Sequence, residues 1–225
     1  VVFFFVKEPA RTEHHREVSQ KRPSILSVLM LPAFAGALLL TLAAQLAATA
    51  SLPIIPLFVQ DLLGGARNVA TDTGWVLALS GVTGAAGAYL AGRLQRHIGL
   101  RPLLIATIAL SAILLVPQAL AANYLQFLVL RSVAAFAFGG LFGMVGITAA
   151  LSSPIHAKGT AFGLMGAASS IGFGCGPLLG GALAAASGLR VVFVASALLL
   201  AIGPLLVALA SAAIGARRFR LATAR

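Results

Sequence analysis

Six stretches of this chain, at 28–58, 74–95, 102–121, 124–151, 160–186 and 191–214, stay apolar for about the 20 residues a helix needs to cross a bilayer. A backbone in hydrocarbon must satisfy its own polar groups, which leaves helices or a closed barrel. The runs are continuous rather than alternating and far exceed a barrel strand, so helices are predicted. At 60% hydrophobic and 9% charged residues, the chain has too little polar surface to cover a soluble core of this size. The fold class expected is an all-α integral membrane protein, six transmembrane helices in one bundle.

The formal charge of +11 raises nucleic acid as a partner, but that needs a solvated basic face. Here the basic residues fall between apolar runs, so membrane lipid is the expected partner and nucleic acid is not. Positively charged loops stay in the cytoplasm. If the N-terminal polar stretch is inside, only Arg67 and Arg190 of the 16 Lys and Arg fall in outer loops, and Arg131 lies within a span. Both ends of the segment are therefore expected in the cytoplasm.

Residues 1–6 are apolar, with no charged stretch before them and no cleavage site after them. They read as the end of a preceding transmembrane helix in a chain truncated at its N-terminus. Residues 7–27 mix charge, His, Ser and Pro without an apolar face, as a cytoplasmic connector does. The six-helix bundle is placed at 28–214, and the basic tail at 215–225 is expected to hold anionic lipid from the cytoplasmic side. Pro53 and Pro56 should bend the first span.

Little in the chain resembles enzyme chemistry. Glu8, Glu13, Glu17, Asp61 and Asp72, all five acids, lie outside the apolar cores. No Ser or Thr is paired with a His or acid, and the four His fall in inner loops. Adjacent His14 and His15 are poorly placed to share a metal in a helix. Cys175 lies in a Gly-rich run and is expected to pack. No catalytic residue, metal or cofactor is predicted.

Three pieces invite a functional reading. Arg131 is the one charge inside a span, about 10 Å from its outer end at 1.5 Å per residue, and such groups usually face a bundle interior or wet cavity. Gly163, Gly172, Gly176, Pro177, Gly180 and Gly181 fall in one run, where a neighbouring backbone could approach closely. Gly92, Arg96, Gly99 and Arg101 form a short basic turn between the second and third runs, suited to a topogenic signal or to a gate.

In this order the pieces resemble the major facilitator superfamily, in particular its bacterial multidrug-efflux proton antiporters. The glycines and Pro177 match every position of that family's antiporter motif, Gly, eight residues, Gly, three residues, Gly-Pro, two residues, Gly-Gly. Gly92, Leu94 and Gly99 match its cytoplasmic gating loop, where Arg96 and His97 replace Asp and Arg. Arg131 resembles the arginine of the fourth-helix motif, with Ala134 and Ala135 in place of Gln and Gly. The resemblance implies helices seven to twelve, with an N-terminal six-helix bundle as missing partner. It also implies small-molecule substrate and protons as ligands.

In that architecture the first and fourth runs face the cavity, which makes Gln45 and Thr49, four residues apart on one face, substrate candidates beside Arg131, the alternative for each being a hydrogen bond between helices. The function expected is secondary active transport by alternating access, with proton-coupled export of small amphipathic compounds. The alternatives are an importer or metabolite exporter on the same fold, and a non-transporting membrane scaffold subunit.

Overall fold

A computed structural model describes residues 31–65, 68–153 and 157–203. The described residues form α1 (Pro32–Ala50), α2 (Ile54–Leu62), α3 (Val69–Ile98), α4 (Leu100–Ala119), α5 (Tyr124–Ser152), α6 (Lys158–Ser187) and α7 (Leu189–Ala201). Five apolar segments are long enough to cross a membrane, the first being Phe34–Leu62, which joins α1 and α2. The sixth expected run is described as helix only to Ala201, and the rest of it lies outside the described residues. So do the N-terminal end, the connector and the basic tail.

The break between α1 and α2 comes from Pro53. Proline has no N–H to give the Thr49 carbonyl, and Leu52 N–H donates to that oxygen instead at 3.0 Å. The helices α3 and α6 run past the expected apolar limits because their polar ends remain helical. Consequently the basic turn at 91–104 is almost entirely helix, reversed by one residue. Gly99 has φ 92° and ψ 158°, a conformation essentially confined to glycine.

A second one-residue reversal occurs at Gly188, with φ 92° and ψ 160°. The shift of 89 positions that carries Gly99 onto Gly188 also carries all of α3 onto α6, end to end. It superimposes Gly87 on Gly176, and Gly74 and Gly92 on Gly163 and Gly181. Buried Leu103, Leu104, Thr107, Ile108 and Ser111 of α4 fall on buried Val192, Phe193, Ser196, Ala197 and Leu200 of α7. Two spans, α4 and α5, lie between α3 and α6, so these copies run in opposite directions. The bundle is an inverted repeat.

Each repeat contributes its middle helix to a close seam with the first helix of the other. In the α1–α6 seam, Gly172 faces the Gln45 stem, Gly176 faces Thr49 and Gly180 faces the Ala50 backbone. In the α3–α5 seam, Gly87 lies against the Phe136 carbonyl and Gly139 against the Gly84 backbone. Lipid tails are as apolar as the side chains, so association here depends on dispersion contact, which small residues maximise.

One end of the bundle is fastened differently. Phe58 of α2, Phe127 of α5 and Phe193 of α7 are fully buried, with ring centroids 5.0 to 5.9 Å apart in edge-on and tilted pairs. Arg190, in the first turn of α7 rather than in a loop, lies over the Phe58 ring at 5.8 Å. It also donates from Nη1 to the Ala119 carbonyl at 3.1 Å. That carbonyl ends α4, where the helix leaves its own acceptors unpaired.

Candidate functional site

Arg131 lies in the second turn of α5, whose start is fixed by a reciprocal cap. Asn123 Oδ1 accepts from Gln126 N–H at 2.9 Å, and Gln126 Oε1 accepts from Ala122 N–H at 3.0 Å. The guanidinium reaches across to the break in the first span, where Nη1 donates to Ser51 Oγ at 3.0 Å. Ser51 is fully buried. Among the described residues Arg131 Nε is buried without a partner, so a five-donor group is held at one corner.

Beside it opens a cavity of about 220 Å³ between α1, α3 and α5. Its wall combines Arg131 with Ser80, the backbone at Gly81 and Gly84, and the rings of Phe138 and Phe142. The small residues of α3 make room for it, and the two rings supply an apolar face 6.2 Å between centroids. A cavity with an apolar wall and a few convergent polar groups suits an amphipathic small molecule. A second groove of about 280 Å³ lies between α3, α4 and α5, but among the described residues it carries only Thr107 as a polar side chain. That hydroxyl is already engaged, donating to the Leu104 carbonyl at 2.9 Å.

The other sequence candidates fall in different places. Thr49 is buried, and its one O–H is shared between two carbonyls, Gln45 O on its own helix at 2.8 Å and Gly172 O across the α1–α6 seam at 3.1 Å. Gln45 is half-buried in that seam. Neither lines the Arg131 cavity. Of the motif glycines, Gly172, Gly176 and Gly180 are buried against α1, whereas a methyl group on Gly163 or Gly181 would meet nothing within 4 Å. Pro177 sits inside α6 next to the buried face. Cys175, expected to pack, is exposed instead, because its position on the helix carries it off the Gly172 and Gly176 face.

At the opposite end of α3, Gly92 has open space around it, and Arg96 lies in the last helical turn. Gly99 makes the reversal and Arg101 stands in the first turn of α4. Among the described residues no three His, Cys, Asp or Glu gather to hold a metal. Sequence reasoning missed Ser51 as the partner of Arg131, and it missed the α3–α5 seam. The 89-position shift was available in the sequence as a self-match and would have found that seam from the antiporter-motif helix.

Comparison with known proteins agrees with this architecture. The Major Facilitator Superfamily model matches residues 1–220. Multidrug resistance protein MdtG of Dickeya zeae is 30% identical over 197 residues, 88% of this chain and 48% of that protein. MdtG of Salmonella arizonae and of Salmonella paratyphi C are each 28% identical over 88% of this chain and 49% of theirs. The chain spans about half the length of the curated relatives it matches. With a family match over nearly its whole length and apolar helices of membrane-crossing length, this multi-pass membrane chain belongs to the Major Facilitator Superfamily, a family of membrane transporters and not of enzymes.

Proposed function

We propose that the chain is the C-terminal half of a secondary transporter that exports small amphipathic compounds from a bacterium across its inner membrane. The Arg131 cavity carries this reading: it is a mixed apolar and cationic wall at the junction of both repeats. The similarity to multidrug resistance proteins supports it. Residues 28–214 make the six-span bundle, 7–27 the connector from an N-terminal six-helix bundle, and 215–225 the tail, with both ends cytoplasmic. The inverted repeat favours alternating access, in which one bundle rocks against the other around a site near the bilayer midplane.

Proton coupling completes the proposal and places its carboxylate in the partner bundle. In the described spans the only acids are Asp61, near the end of α2, and Asp72, in the first turn of α3. The test is efflux of a fluorescent amphipathic dye from cells expressing the transporter gene, with and without a protonophore. Dye should accumulate several-fold less in expressing cells, and the protonophore should abolish the difference. Equal accumulation with abundant protein in the membrane rejects export.

Thr49→Val separates a packing role from a cargo role in the same assay. The change keeps the shape and removes one hydrogen bond between helices, worth on average about 0.6 kcal/mol in membranes and at most about 1.7. We expect a small drop in thermal midpoint in detergent and more than half of the efflux retained. Loss of efflux at unchanged stability would move Thr49 into the cargo path.

A further inference from the structure

Resting on the transporter reading, we infer that the Arg131 cavity is an anion subsite that seats a carboxylate between the guanidinium and the Phe138 and Phe142 rings. Among the described residues Arg131 is anchored by a single bond from Nη1 to Ser51, and its Nε is buried without a partner. The cavity begins at that side chain. A guanidinium presents its donors as a planar fork, which a carboxylate meets with two parallel bonds. Ser51 holds one corner of the fork.

The surroundings favour an anion over a neutral acceptor. Among the described residues no carboxylate side chain lines the cavity, and its other polar side chain is Ser80. The low dielectric between helices strengthens the pairing of Arg131 with an opposite charge. The rings offer area for an aromatic or aliphatic body attached to the carboxylate, which makes an amphipathic monocarboxylate the class of cargo that fits. The same chemistry could come from an Asp or Glu side chain of the partner bundle.

The experiment uses the full transporter purified in detergent and in proteoliposomes, with 1-naphthylacetate and its neutral amide as the matched probes. Thermal shift reads binding without requiring transport. A cargo carboxylate predicts at least tenfold tighter binding of the acid than of the amide. Arg131→Gln should erase that ratio while amide binding stays within threefold, and Arg131→Lys should restore part of it as a charge without the fork. A side-chain carboxylate predicts no acid preference in the wild type. It also predicts a ligand-free Arg131→Gln protein that melts several degrees below the Arg131→Lys protein.

Equal melting of the two variants together with no acid preference overturns the anion subsite. Proteoliposome flux is scored separately. Acid-selective binding with no flux of any probe would reject the transporter reading and leave the subsite standing. Dye flux unaffected by Arg131→Gln, with no acid preference and equal melting of the two variants, would do the reverse.

Discussion

Gly139→Ala should destabilise the bundle by about 1 to 3 kcal/mol, the range for overpacking a filled interior, and Gly139→Leu should prevent assembly of a transporting protein. The added methyl on Gly139 would lie 2.6 Å from the Gly84 carbonyl carbon and 2.9 Å from its Cα, and closer still to the carbonyl oxygen. Those atoms belong to the α3 backbone and cannot rotate aside, so the two helices must part. Parting them forfeits dispersion contact along the seam, and lipid gives little in return.

A graded series makes the expectation specific. At Gly172 the methyl meets Gln45 Cβ at 2.7 Å and Cγ at 3.0 Å. The Gln45 stem can yield in part, although the Leu42 carbonyl at 3.2 Å narrows the space. At Gly146, on the same helix as Gly139, it meets nothing within 4 Å. Thermal midpoints should therefore fall in the order Gly146→Ala, Gly172→Ala, Gly139→Ala, with the first near wild type. If Gly139→Ala melted with Gly146→Ala, the close α3–α5 seam described above would be wrong.

The seams also show how much the sequence discloses. Apolar run length disclosed the five spans described in full, and glycine spacing disclosed that α6 packs closely. Spacing alone did not separate Gly172, Gly176 and Gly180, which touch α1, from Gly163 and Gly181, which do not. That division depends on which arc of the helix meets a neighbour, a tertiary fact. Arg131 was legible because a charge in an apolar run is costly and needs a reason. Its partner was not, since Ser51 is 80 residues away and lies at a helix break whose direction the two prolines did not specify. Thr49 shows the opposite case. Its polarity drew attention, yet a threonine in a membrane helix bonds readily to backbone carbonyls, and this one shares its O–H between two.

Phe127→Ala should produce the second large effect, a loss of about 3 kcal/mol, the lower end of the range for deleting a buried aromatic. The lower end applies because the reference state in a bilayer already keeps Phe away from water, leaving mainly the cavity and lost contact. Phe127 touches both Phe58 and Phe193, so one deletion unfastens α2, α5 and α7 together. Phe58 then loses the packing that sets it beneath Arg190. The hold of Arg190 on the end of α4 should weaken in consequence, and Phe127→Ala combined with Arg190→Ala should cost less than the sum of the two alone. Thermal unfolding of the four proteins in detergent measures that coupling. Strict additivity would mean the ring cluster and the Arg190 clamp are independent, and that the end of the bundle is held by two devices and not by one.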